Sequence, residues 1–113
     1  MAKRIEDCLL QGPDELKEGQ CYFEISFWDT KSDIPCIVTW IYIGKNVLPG
    51  DQPPDDRWYF QDPASYLKHG SFVNLSEGIE HNVVTADQDA VLSFCSFDGL
   101  REALSGLSPG LLS

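Results

Sequence analysis

His69 and His81 are the only two side chains whose ordinary chemistry suits acid–base work near neutral pH. Neither stands in a motif with a nucleophile. His69 closes a stretch that reads as a short helix, where an imidazolium is favourable to the helix dipole. His81 lies in Glu80-His81-Asn82, on or beside a weak strand. The four cysteines, Cys8, Cys21, Cys36 and Cys95, allow Cys–His dyads to form on folding, but nothing selects one pairing from the eight possible. No catalytic residue is therefore assigned, and the chain is read as a non-enzyme. The cysteines contain no C-x-x-C pair, and such wide gaps are poor spacing for zinc. They read as small apolar residues.

Gly44-Lys45-Asn46 invites comparison with a phosphate-binding loop and fails it twice. Asn46 stands where serine or threonine is needed, and the first required glycine would fall on Thr39. It reads instead as a strand end and a turn. Two groups of carboxylates are local: Asp51, Asp55 and Asp56 in a proline-rich loop, and Asp87 with Asp89. The second lacks the glycine and distal glutamate of a calcium loop. Both read as solvated loop acids, so no metal and no cofactor is expected. Paired carboxylates also serve glycoside hydrolysis, but that chemistry needs a deep cleft, for which 113 residues leave little room.

The aromatic residues carry more information. They make up 12% of the chain. Phe23, Phe27, Phe60, Phe94 and Phe97 fall at expected core positions. Tyr22 and Trp28 share the other face of one strand, and Trp40 and Tyr42 share a face of the next. A hairpin would join these four into one patch. Tyrosine and tryptophan suit binding surfaces because they bury large area and keep a polar tip.

The elements that must position these residues are short. Cys21 to Trp28 alternates as a strand, with Cys21, Phe23, Ile25 and Phe27 expected to face the core. Asp29 to Asp33 is a polar hairpin connector. Pro35 to Lys45 is apolar on both faces and reads as a central strand. Trp58-Tyr59-Phe60 is a third strand. Asp62-Pro63 opens a helix to His69 that Gly70 terminates. Ser71–Leu75 and Ile79–Val84 are weaker strands, and Ala90–Cys95 is a better one. Ser96 caps a final amphipathic helix bearing Phe97, Leu100, Ala103, Leu104 and Leu107 on one face. Residues 3–10 have the spacing of a short helix. The expected fold class is α+β: a strongly bent, mostly antiparallel sheet of about five strands, or a small partly open barrel, with short helices and the C-terminal amphipathic one. Residues 1–113 read as a single domain with its core at about 14–107 and loose termini.

Charge excludes whole classes of partner. Asp and Glu number 18 against 8 Lys and Arg, a formal charge of -10. A nucleic-acid binder must neutralise phosphates, and an anionic membrane surface would repel this chain. The acids spread evenly along the sequence, so no charge boundary marks a second domain. The N-terminus, with Glu6 and Asp7, does not read as a signal peptide, and the longest apolar run is too short to span a bilayer. Cytoplasmic residence and reduced thiols follow as expectations.

The segments Gly19-Gln20-Cys21-Tyr22-Phe23, Ile43-Gly44-Lys45-Asn46 and Tyr59-Phe60-Gln61-Asp62-Pro63-Ala64-Ser65-Tyr66 together resemble a pattern associated with small uncharacterised bacterial proteins. The resemblance covers roughly the middle half of the chain. Tyr-Phe-Gln-Asp followed by Ser-Tyr is its most specific part. It implies a bacterial cytosolic origin and brings no activity, cofactor or site.

The reading from sequence is a non-enzymatic protein–protein interaction module. Asp51, Asp55 and Asp56 would form an acidic rim around Trp28, Trp40, Tyr42 and Trp58 as anchors. The partner would be a basic protein, among which a masked active site is one case, or a second copy of the chain in a homodimer. The alternatives are a small-ligand binder with the aromatics lining a pocket, and a small hydrolase using an aspartate with His69 or His81.

Overall fold

The computed structural model describes residues 8–27, 35–75 and 77–105. Its elements in chain order are β1 (Cys21–Phe27), β2 (Pro35–Lys45), β3 (Trp58–Gln61), α1 (Pro63–His69), β4 (Val83–Ala86), α2 (Gln88–Val91), β5 (Phe94–Cys95) and α3 (Phe97–Ser105). The strands form one sheet in the order β4-β3-β2-β1-β5, with every neighbouring pair antiparallel. Its outer strands β4 and β5 do not meet, so the sheet stays open rather than closing into a barrel. This is an α+β fold.

β1 pairs with β2 over its whole length, from Cys21 opposite Ile41 to Phe27 opposite Pro35. A shift of register between Tyr42 and Gly44 lets β2 continue along β3 as far as Lys45 opposite Trp58. Local chemistry then sets the helices. The Asp62 carboxylate accepts from the Ser65 amide, Pro63 supplies the first helical residue, and Gly70 ends α1 at a φ of 84°, where a side chain would be strained. Asp87 caps α2 through the Ala90 amide, and the Ser96 hydroxyl accepts from the Gly99 amide to start α3.

Three expectations from the sequence are corrected, two of them by capping. Ala90–Cys95 is not one strand: the Asp87 cap carries residues 88–91 into a helix, and only Phe94–Cys95 remain extended. Ser71–Leu75 is a 3-10 turn over Phe72–Asn74, because the Ser71 hydroxyl caps the Val73 amide. Ile79–Val84 contributes only from Val83 onward. Of the residue 3–10 helix, residues 3–7 lie outside the described residues, as do Leu107 and the connector 28–34.

Both faces of the sheet carry a buried cluster, which overturns the parity reading, while Ile37 and Val38 of β2 stay exposed. Tyr22, Tyr42, Trp58, Phe60, Ala86 and Phe94 form the larger core with Leu10 from the N-terminal segment and Val91 from α2. On the other face Ile41, Ile43 and Tyr59 pack with Tyr66 and Phe72 around α1. Cys21, expected inside, is exposed, while Tyr22 is buried. Alternation assigns side chains to two faces but does not say which one is covered. Tyr22 tolerates burial because its hydroxyl accepts from the Lys17 amide at 2.8 Å and donates to the Glu15 carbonyl at 3.3 Å.

α3 lies close to the N-terminal segment. A Cβ built at Gly99 would stand 2.2 Å from the Cys8 carbonyl oxygen and 3.2 Å from the Cys95 Cβ. Alanine normally favours a helix over glycine by about 1 kcal/mol. Here we expect Gly99→Ala to destabilise instead, by about 1–3 kcal/mol, since the added methyl must push backbone aside. Urea unfolding checks the sign, and a stabilised variant would show that α3 does not approach residue 8 so closely.

Asp62 makes a second testable contribution. Burial would push its carboxyl up. Hydrogen bonds from the Ser65 hydroxyl, the Asn82 amide and the Ser65 amide outweigh that and leave it below the usual carboxylate value. The stabilisation from this lowered pKa is present above the unfolded value near 3.9 and is lost as pH falls through the lower folded value. Asp62→Ala should cost about 0.5–2 kcal/mol at neutral pH. The gap to the wild type should narrow towards about pH 3. Urea midpoints at several pH values measure it, and a gap independent of pH would contradict the assignment.

Candidate functional site

The two acidic loops, separate in sequence, meet at one end of the β3–β4 pair. Trp58 opens β3 and lies opposite Ala86, which closes β4. The residues just outside those ends, Asp55 and Asp56 on one side and Asp87 to Asp89 on the other, therefore become neighbours. They line a hollow of about 280 Å³ with Pro54, Gln88 and Trp58. A second hollow of about 360 Å³ shares Asp56, Trp58 and Gln88 and adds Pro13, Asp14, Tyr42 and Lys45. The two hollows together present five carboxylates against one ammonium.

That ammonium is informative. Lys45 Nζ stands 5.3 Å from the Trp58 ring centroid and 3.4 Å from an Asp56 carboxylate oxygen. A cation is thus held by the indole face and a carboxylate together. Asp56 also accepts from the Asn46 side-chain amide at 2.9 Å. This bond, with the nearby Lys45, holds the Asp56 carboxyl below its usual value against the opposing effect of desolvation. Asp87 is spent as the α2 cap, while Asp55 and Asp89 are exposed.

The remaining residues proposed from sequence are placed differently. Tyr42 and Trp58, expected as open anchors, are core residues, each 6% exposed. Both line the second hollow, and Trp58 lines the first as well. Burial, then the charge of Glu18 and the neighbouring Tyr22, pushes the Tyr42 hydroxyl up to about 12. Trp40 is half-buried against the same core, and its indole N–H donates to the Glu24 carboxylate at 2.6 Å. Trp28 lies outside the described residues. Among the described residues, Trp40, Tyr42 and Trp58 therefore form no open patch, because the N-terminal segment and α2 cover the face that carries them. Asp51 does not join the rim. Its carboxylate accepts from the Tyr59 hydroxyl at 2.7 Å and the Leu48 amide at 3.1 Å, closing its own loop. Burial first, then this bond and the Asp51 charge, raise the Tyr59 hydroxyl.

Asp14, Asp87 and Asp89 are the rim residues that the sequence did not place there. The available signal was the Asp87-Gln88-Asp89 pair itself. Its relation to Asp55 and Asp56 is created only by the β3–β4 register.

At the other end of the same strand pair lies a hollow of about 530 Å³, lined among others by Asp62, Lys68, His69, Glu80, His81 and Asn82. Both histidines reach it. The ring partner of His81 is a backbone carbonyl, that of Ile79 at 2.9 Å, rather than a carboxylate or thiol. Among the described residues no group of three His, Cys, Asp or Glu side chains is arranged to hold a metal ion. Cys8 and Cys95 are buried and Cys21 is exposed. Burial, and then the proximity of Cys8, pushes the Cys95 thiol up to about 11, far from a reactive thiolate. No described helix is long and apolar enough to cross a membrane.

Compared with protein-family models, with curated proteins and with solved structures, the chain matches none.

Proposed function

We propose that the protein is a non-enzymatic interaction module that receives a basic segment of a protein partner in the acidic hollows beside Trp58. The observation that carries the reading is the seating of Lys45 between the Trp58 ring and Asp56. The chain's own lysine supports the reading, since a partner's lysine or arginine would meet carboxylates in the same way. Asp14, Asp55, Asp87 and Asp89 stand around that pair with no second cation in the lining of either hollow. Arginine suits such a place best, since its planar guanidinium bonds carboxylates through two N–H groups at once. A second copy of this chain would bring its own excess of carboxylates to the same surface and be repelled. Residence in the bacterial cytoplasm belongs to the same proposal.

Rim charges act mainly on encounter and on salt dependence. Titration calorimetry with an arginine-rich peptide across a salt series tests the proposal. Binding should weaken at least about tenfold between low salt and physiological ionic strength, as the screening length contracts to about 8 Å. Binding that is absent at low salt, or indifferent to salt, would overturn it.

A further inference from the structure

The hollow at the far end of the β3–β4 pair gathers a different set of groups, Lys68, His69 and His81 beside Asp62 and Glu80. This chain has only two histidines and eight Lys and Arg, yet both histidines and Lys68 line one cavity. Lys68 and His69 come from the last turn of α1, and His81 from the segment leading into β4. Twelve positions separate the histidines in sequence, and the pairing of Gln61 with Val83 at the end of β3 draws their segments together.

The His81 ring is held in one orientation. A carbonyl oxygen only accepts, so its bond to Ile79 places a proton on Nδ1 and leaves Nε2 for another partner. The ring also stacks on Phe72, with centroids 6.1 Å apart and planes at 21°. Two acids share the lining. Asp62 is committed, accepting from the Ser65 amide at 2.9 Å, the Ser65 hydroxyl at 2.5 Å and the Asn82 amide at 2.7 Å. Glu80 is exposed to water. An ammonium and two imidazoles thus face a cavity in which one carboxylate is already satisfied and the other is solvated.

We propose that this hollow is a binding site for a phosphate dianion, held by Lys68, His69 and His81. Imidazolium N–H groups and an ammonium make short charge-assisted hydrogen bonds to phosphate oxygens. The volume lies within the range of small-molecule sites, so a phosphate monoester of a small metabolite fits as well as free phosphate does. Ile79 and Ala64 supply apolar wall for the body of such an ester.

Histidine C2–H resonances of the intact chain, followed by NMR at constant pH, provide the test. Glycerol phosphate, inorganic phosphate and free glycerol are the three probes. Glycerol phosphate should shift both histidines along one saturating curve, and glycerol should move neither. Saturation by the ester at lower concentration than by inorganic phosphate identifies a monoester site. The reverse order identifies a site for free phosphate. Lys68→Ala and His81→Gln should each weaken binding at least about fivefold, as loss of one charged hydrogen bond does, with an unchanged thermal midpoint. Shifts that do not saturate, that touch one histidine only, or that persist undiminished in Lys68→Ala would overturn the proposal.

Discussion

Phe60→Ala is expected to remove about 3–5 kcal/mol, the usual cost of truncating a buried phenylalanine. The Phe60 side chain is fully buried. Its ring meets Phe94 edge-on at 4.5 Å, Tyr42 at 5.4 Å and Tyr22 at 6.4 Å. It therefore joins residues of β1, β2, β3 and β5 at one point. Alanine would leave a void among rigid rings on strands whose spacing the ladder fixes, so the site cannot collapse to fill it. A domain of this size has about 5–15 kcal/mol in total, so the variant should lie near the limit of folding. Its thermal midpoint should fall by more than about 10 °C. Phe97→Ala is the contrast. Phe97 is 64% exposed and touches Phe23 only obliquely at 6.4 Å, so its loss should cost less than about 1 kcal/mol. Calorimetric midpoints decide between these, and equal losses would contradict the placement of the core.

The second large effect concerns charge. Replacing Asp55, Asp56, Asp87 and Asp89 together by asparagine should weaken binding of an arginine-rich peptide by at least about tenfold and flatten its salt dependence. Asparagine is chosen for a physical reason. Asp56 accepts from Asn46 and Asp87 caps α2, and an amide oxygen can still accept both bonds. The variant thus loses charge and keeps its hydrogen bonds, and its thermal midpoint should stay near that of the wild type. Asp98→Asn serves as control. It neutralises an exposed acid on α3, against the opposite edge of the sheet from β4, and should leave affinity unchanged. Stopped-flow mixing should place most of the loss in the association rate, where steering acts. A quadruple variant that binds as the wild type does would remove these carboxylates from the site.

The contrast between the two residue sets explains what could be read from the sequence. Strand and helix identity was legible where a local rule decides it. Alternation marks β1, Asp62-Pro63 with Gly70 bounds α1, and Ser96 starts α3. Where two local signals compete, the cap prevails, as Asp87 and Ser71 show by ending stretches whose apolar content suggests strands. Which face is covered was not legible. β2 is apolar on both sides, and nothing in the N-terminal segment that buries Tyr22 and Tyr42 says which face of the sheet it covers. The buried Gln61 was equally hidden. Its amide donates to the Ser65 hydroxyl and the Gly70 carbonyl, and its oxygen accepts from the Phe72 amide, tying both ends of α1 to the 3-10 turn. Much of the Tyr59-to-Tyr66 segment noted in the sequence thus has a structural role: Phe60 in the core, Gln61 and Ser65 in this network, Asp62 as cap.

Of the proposed site, the acids were visible and their assembly was not. Asp55 and Asp56 were selected from a proline-rich loop, but their partners Asp87 and Asp89 arrive through the register of β3 with β4. Trp58 was chosen for the right residue type and the wrong exposure. It lines both hollows as a buried residue rather than as an open face.

Trp58 also offers the most direct test. Its indole N–H gives a single NMR resonance at the junction of the two acidic hollows, beside Lys45. On titration with an arginine-rich peptide at low salt, the account predicts that this signal and the side-chain signals of Lys45 shift together and saturate with the affinity seen by calorimetry, while the Trp40 indole stays still. Peptide binding that moves Trp40 and leaves Trp58 and Lys45 unchanged would contradict it.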